Sequence, residues 1–148
     1  MTGLPHPPAT TSDQAAWSGV LALHAYVERQ LTQALQRRHG IGLSEFRALE
    51  CLVDSPAGEL RMQDLADKVG LGQSSVTRLV GRLDSAGFAV RDLCPDDKRG
   101  VYAVITDAGR ERYASARGTY GEVLTSALDT ADGAPSLSPT VQALRGGA

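Results

Sequence analysis

Residues 62–106 read MQDLADKVGLGQSSVTRLVGRLDSAGFAVRDLCPDDKRGVYAVIT, and the order of patterns in this stretch decides the fold. Met62, Leu65, Ala66 and Val69 fall at offsets of three, four and seven, the spacing of one helix face. Gly70 ends that helix, because glycine alone enters the left-handed region at no steric cost, and the chain can reverse within Gly70, Leu71 and Gly72. A second helix can then start at Gln73 and run to about Ala86, with Val76, Leu79, Val80 and Leu83 on one side. Two alternating segments follow. Phe88, Val90 and Leu93 mark one strand, and Val101, Ala103 and Ile105 mark the next, both with period two. Between them Cys94-Pro95-Asp96-Asp97-Lys98-Arg99-Gly100 is turn chemistry, with two adjacent cations near its tip.

The face of the second helix opposite its apolar stripe carries Gln73, Ser74, Ser75, Thr77, Arg78, Gly81 and Arg82. Short hydroxyl, amide and guanidinium groups in the first turns of a helix are the groups that match base edges in the major groove. The bland alternative is a solvated face. The charged hairpin favours the first reading, since a protruding loop with Lys98 and Arg99 suits phosphate or the negative potential of a narrow minor groove. Helix, turn, helix and charged hairpin together predict a winged helix. Asp97 is expected to be structural, because an exposed carboxylate aimed at phosphate would be repelled.

The run as a whole resembles the MarR family of bacterial winged-helix transcription regulators. Gln73-Ser74-Ser75-Val76-Thr77-Arg78-Leu79-Val80 is similar to the family's recognition helix, and Leu83, Gly87, Phe88 and Arg91 to its exit into the wing. Asp97-Lys98-Arg99 is similar to the family's Asp-x-Arg wing motif, a resemblance that implies that Asp97 orients the wing through a charge pair. Ala103-Val104-Ile105-Thr106-Asp107-Ala108-Gly109 resembles its strand-to-helix junction, with Ile105 where leucine is more usual. Gly42-Leu43-Ser44 and Phe46-Arg47-Ala48-Leu49 resemble the start of its second helix, and the likeness covers roughly residues 17–128.

The resemblance implies a homodimer on a palindromic operator in double-stranded DNA, acting as a repressor that a small aromatic or phenolic effector releases. It also implies that Trp17, His24, Tyr26 and Arg47 are the candidate effector contacts.

Outward from the central stretch, residues 1–12 are rich in Pro and Thr and are expected to form a disordered arm. From Ser12 or Asp13 to about Arg38, the residues Trp17, Val20, Leu21, His24, Val27, Leu31 and Leu35 recur at helical spacing, with Leu23 and Tyr26 beside the stripe. So much apolar surface on one helix predicts packing against another subunit. Ser44 is the expected N-cap of a helix to about Val53, with Phe46, Leu49, Leu52 and Val53 inward. Asp54-Ser55-Pro56-Ala57-Gly58 breaks it, and residues 59–61 are expected to add a third strand. After the wing, a helix from Ala108 to about Asp129 carries Tyr113, Ala116, Tyr120, Val123, Leu124 and Leu128 on one side. Ser138-Pro139 starts a short last one that ends at Leu144.

The expected fold is mainly α with a small β-hairpin wing, a winged helix-turn-helix carried on long N- and C-terminal dimerisation helices. The expected organisation is an arm at 1–12, a dimerisation helix at 13–40, a DNA-binding domain at 43–106 and C-terminal dimerisation helices at 107–148.

Composition sets the outer limits. With 148 residues, 42% of them hydrophobic and 22% charged, the chain is ordinary single-domain material. A net charge of -2 does not advertise nucleic-acid binding, so contact must rest on local cations, for which Arg78, Arg82, Arg91, Lys98 and Arg99 are placed. No apolar run reaches the roughly 20 residues of a membrane span, and no secretory pattern opens the chain, so a cytoplasmic location is expected. Cys51 and Cys94 make no disulfide framework. Cys94, beside the wing cations, is the residue a redox-responsive alternative would use. The three histidines and two cysteines lack ligand spacing, so neither metal nor cofactor is expected. No phosphate-binding loop, nucleophile elbow or carboxylate pair points to an enzyme. A winged helix used only to bind protein is the remaining rival.

Overall fold

A computed structural model describes residue 3, residues 12–93 and residues 100–146. Its helices are α1 (Ser12–His39), α2 (Leu43–Val53), α3 (Met62–Val69), α4 (Gln73–Ala86), α5 (Asp107–Asp132) and α6 (Ser138–Gly146). Its strands are β1 (Glu59–Arg61), β2 (Ala89–Leu93) and β3 (Val101–Ile105), in the antiparallel order β1-β3-β2. This is the mainly helical winged-helix architecture that the periodicities predict. The chain divides into two compact units, Thr32–Gly121 and the described parts of Met1–Leu31 with Glu122–Ala148.

The larger unit closes a core of its own. Phe46, Leu49 and Leu52 of α2, Leu65 of α3, and Val76, Leu79, Val80 and Leu83 of α4 are buried together with Ala89, Ala103 and Ile105 of the sheet. Tyr113 of α5 tilts against Phe46, with centroids 5.2 Å apart, and Tyr120 stacks on it at 4.7 Å. The turn between α3 and α4 follows from Gly70, whose φ of 72° is left-handed. There the amide of Leu71 returns to the carbonyl of Ala66 at 3.0 Å. At the far end of α4, Gly87 (φ 82°) does the same, the Phe88 amide donating to Leu83 at 2.9 Å and the Gly87 amide to Asp84 at 3.0 Å. These two stops fix the length and exit angle of α4. Arg112 of α5 lies 4.9 Å over the Phe88 ring and donates to the carbonyl of His39, holding the wing's root against the end of α1.

Two local expectations are corrected. Gly42, not Ser44, caps α2: the Glu45 carboxylate accepts from the Gly42 amide at 2.8 Å, so the helix begins one residue before Ser44, which sits exposed in its first turn. Val90 is 42% exposed and Ala89 fully buried, the opposite phase to the expected alternation through Phe88 and Val90. The turn at Gly87 starts the strand at Ala89, which pairs with Ile105 and points inward with it. Separately, the α1 stripe expected to pack against another subunit is exposed at Trp17, Val20 and Leu21 in the single chain, while Leu23 beside it is buried. α5 and α6 also each run further than expected, to Asp132 and Gly146.

In the smaller unit the buried residues Leu23, Ala131 and Val141 pack with Tyr26, Val27, Leu128 and Leu137. Polar contacts pin α6: Asp132 accepts from Ser138 at 2.8 Å and from Gln142 at 2.8 and 2.9 Å, and Arg145 pairs with Asp129 at 2.8 Å. The hydrogen bonds from these two residues, Ser138 first, hold the Asp132 carboxyl below its ordinary range.

Candidate nucleic-acid interface

Burial sorts the residues of α4 cleanly. Val76, Leu79, Val80 and Leu83 are at most 1% exposed, and the opposite side presents Gln73, Ser74, Thr77, Arg78 and Arg82 to solvent, with Ser75 half-buried. A hydrogen-bonding surface is thus set on a helix whose other face is locked into the core. Its N-cap, Gly72, has no side chain to occupy the first-turn amides, so those donors and the positive end of the helix dipole remain available to an anion.

Contacts fix several of these groups. The Thr77 hydroxyl donates to the Gln73 carbonyl at 2.9 Å and Arg78 reaches the Ser75 hydroxyl at 3.4 Å. Arg82 gives its Nε proton to Glu45 Oε1 at 3.0 Å, and the same carboxylate caps α2 through its other oxygen. Glu45 thereby ties the second helix to the fourth and aims the guanidinium's remaining N–H groups outward. Arg91 of β2 crosses α4 to the Thr77 carbonyl at 3.3 Å. It passes over Gly81, where a Cβ would stand 3.1 Å from its Nη2. Arg78, Gly81, Arg82, Ser85 and Ala86 line a shallow open concavity along this face. Gln73 donates to Gln63 of α3, and Gln63 in turn donates to Asp67 at 3.1 Å.

The sequence flagged the α4 residues and Arg91 but missed Gln63 and Glu45. Glu45 had a signal, standing three residues after Gly42 in capping-box position, but its pairing with Arg82 spans 37 residues and needs the fold. Lys98, Arg99, Asp97 and Cys94 lie outside the described residues.

The residues proposed for an effector are spread over both units. Trp17 is 62% exposed, His24 pairs with Glu28 at 3.1 Å on the surface of α1, and Tyr26 packs beside Leu23. Arg47 donates to the Tyr120 hydroxyl at 3.2 Å, its guanidinium 6.0 Å from the ring centroid. Burial, then the nearby Glu50 carboxylate, pushes the Cys51 thiol above its ordinary range, which disfavours the reactive thiolate. Among the described residues, no cluster of three His, Cys, Asp or Glu could hold a metal, and no helix is long and apolar enough to cross a membrane.

Residues 39–100 match the family model described as MarR family. An uncharacterized HTH-type transcriptional regulator of Bacillus subtilis, YkoM, is 37% identical over 75 residues, 51% of this chain and 47% of its own length. The HTH-type transcriptional regulator MhqR of the same organism is 33% identical over 49% of this chain and 48% of its own. The chain thus spans about half the length of the curated relatives it matches. Among solved structures, Sco3205, a MarR family transcriptional regulator from Streptomyces coelicolor in complex with DNA, superposes with a TM-score of 0.76. The match has 26% identity and covers 96% of this chain and 89% of that one.

Proposed function

The chain belongs to the MarR family of winged helix-turn-helix transcription regulators, and from that premise we propose that it binds double-stranded operator DNA through α4 and the wing. The observation that carries this reading is the two-sided character of α4, with Gln73, Ser74, Ser75, Thr77, Arg78 and Arg82 set opposite a side buried in the core. The DNA complex of Sco3205 supports it. Arg78, Arg82, Lys98 and Arg99 supply the phosphate and groove cations, and Asp97 orients the wing. A homodimer would place two recognition helices about one DNA turn apart, on half-sites about 10 base pairs centre to centre, hence a palindromic site. The exposed Trp17, Val20, Leu21 and Leu144 support self-association, since large apolar groups in one unit are left for a second copy to cover.

The regulatory reading is repression relieved by a small aromatic or phenolic anion, with Trp17, His24, Tyr26 and Arg47 as its contacts. The family supports it, and so does Arg47, a cation held beside an aromatic ring. Release requires that the anion bind the DNA-free conformation more tightly.

Fluorescence anisotropy on duplex from upstream of the chain's own gene, across salt, tests the DNA-binding step. Saturable binding that survives competitor, and a log–log salt slope reduced by about one unit in Arg99→Ala, are expected. No retardation of any duplex at low salt would instead favour a winged helix that binds protein. For the effector, an unaltered response in both Trp17→Phe and His24→Ala would remove those contacts.

A further inference from the structure

Gln73 opens the recognition helix, and its side-chain amide is tied into a short relay. Gln63, the second residue of α3, donates through Nε2 to the Asp67 carboxylate one turn along the same helix, at 3.1 Å. Its Oε1 accepts from Nε2 of Gln73. All three side chains are exposed.

The chemistry of the first member fixes the polarity of the rest. An ionised carboxylate only accepts, whereas an amide can turn either end outward. Because Asp67 accepts, Gln63 must turn its nitrogen to it and its oxygen to Gln73, and Gln73 must then spend one N–H on Gln63. What remains to Gln73 is an acceptor oxygen and one N–H. That pair complements adenine, which offers the N6 amino donor and the N7 acceptor in the major groove. It does not suit guanine, whose O6 and N7 both accept and would need two donors.

We propose that Gln63 and Asp67 are specificity-determining positioning residues, which hold the Gln73 amide in the polarity that reads adenine at one position of each half-site. The proposal rests on the DNA-binding reading above. It adds the identity of a base and two residues that need touch no base themselves.

The test is selection from a pool of duplexes with a randomised central segment, followed by sequencing, for the full-length wild type and four variants. In the wild type one position per half-site should prefer A·T by about five- to a hundredfold, and Gln73→Ala should flatten that position alone. Gln63→Leu should flatten the same position to within about threefold. It should leave the other positions, the thermal midpoint and the salt slope as they are, because the lost interaction sets an orientation and carries no phosphate contact. Gln63→Glu still accepts from Gln73 and should keep the adenine preference, at lower overall affinity from its charge. Asp67→Asn frees Gln63 to turn, and should let pairs presenting two acceptors in.

A wild-type base profile in Gln63→Leu overturns the relay, as does a Gln73→Ala profile with no flattened position. Both results leave DNA binding standing. A wild type that selects no duplex at all overturns the relay and the DNA-binding reading together.

Discussion

The two compact units handle apolar surface in opposite ways. In Thr32–Gly121, α4 and the sheet close over α2, and the side chains from Leu35 to Ala116 that form the core are at most 9% exposed. The smaller unit buries Leu23, Ala131 and Val141 and leaves Trp17, Leu21 and Leu144 more than half exposed. Among the described residues, one unit closes over its apolar side chains and the other leaves several of them exposed. A self-sufficient unit can hold Arg82 and Gln73 at fixed angles, which recognition demands. An unfinished unit has exposed apolar area whose burial would drive association.

The largest expected effect breaks the finished unit. Phe46→Ala removes a ring that is 1% exposed and packed against two tyrosines, and should cost about 3–5 kcal/mol in a urea titration. A loss under about 1 kcal/mol would mean that the core repacks and is less closed than its burial implies. Next comes the unfinished unit. Trp17→Ala with Leu21→Ala should leave the core intact but weaken self-association by at least about tenfold in sedimentation equilibrium, the scale of a central aromatic contact. Unchanged association would show that the exposed stripe is not the interface.

The same contrast explains what the sequence could and could not disclose. Within the larger unit, Gly70 and Gly87 stop α3 and α4 where local chemistry alone requires it, so these boundaries were legible from 62 to 87. The phase of β2 was not. A period of two has two settings, and the hydrogen bonds that close α4 at Gly87 and Phe88 choose the one that turns Ala89 inward and Val90 out. The cap of α2 was misread because Ser44 has the favoured side chain, while Glu45 reaches back to Gly42 and supplies the bond instead. Of the site, the polar face of α4 was legible from spacing. The partners that aim it, Glu45 for Arg82 and Gln63 for Gln73, come from other helices, so neither pairing had a local signature. In the smaller unit the stripe from Trp17 was legible both as apolar and as more surface than one chain would cover, which is why it was expected to pack against another subunit.

A subtler probe separates stability from recognition inside the finished unit. Gly81 lies within α4, where alanine is worth about 0.5–1 kcal/mol more than glycine. The added methyl would press on the far end of Arg91, a flexible side chain that can move aside. Gly81→Ala should therefore raise stability by about 0.5 kcal/mol and at the same time weaken DNA binding, as Arg91 leaves the Thr77 carbonyl. Binding that improves with stability would mean that Arg91 has no part in the interface.

The smallest effect concerns acid and the smaller unit alone. Asp132 has its folded pKa lowered by Ser138 and Gln142, so its contribution is present above the unfolded carboxylate range and is lost as pH falls through the folded value. Protonation removes the acceptor charge that binds both groups, and α6 should then loosen from α5. Amide-exchange protection across Ser138–Gly146, corrected for intrinsic rates, should drop as pH is lowered from about 5 to about 3, before protection in α4 does. In Asp132→Asn, α6 should begin with lower protection and show no such step, because its amide oxygen carries no charge to lose. If α4 and α6 lost protection together in the wild type, acid would be acting on the whole chain. The carboxylate anchor would then contribute nothing separable to the unfinished unit.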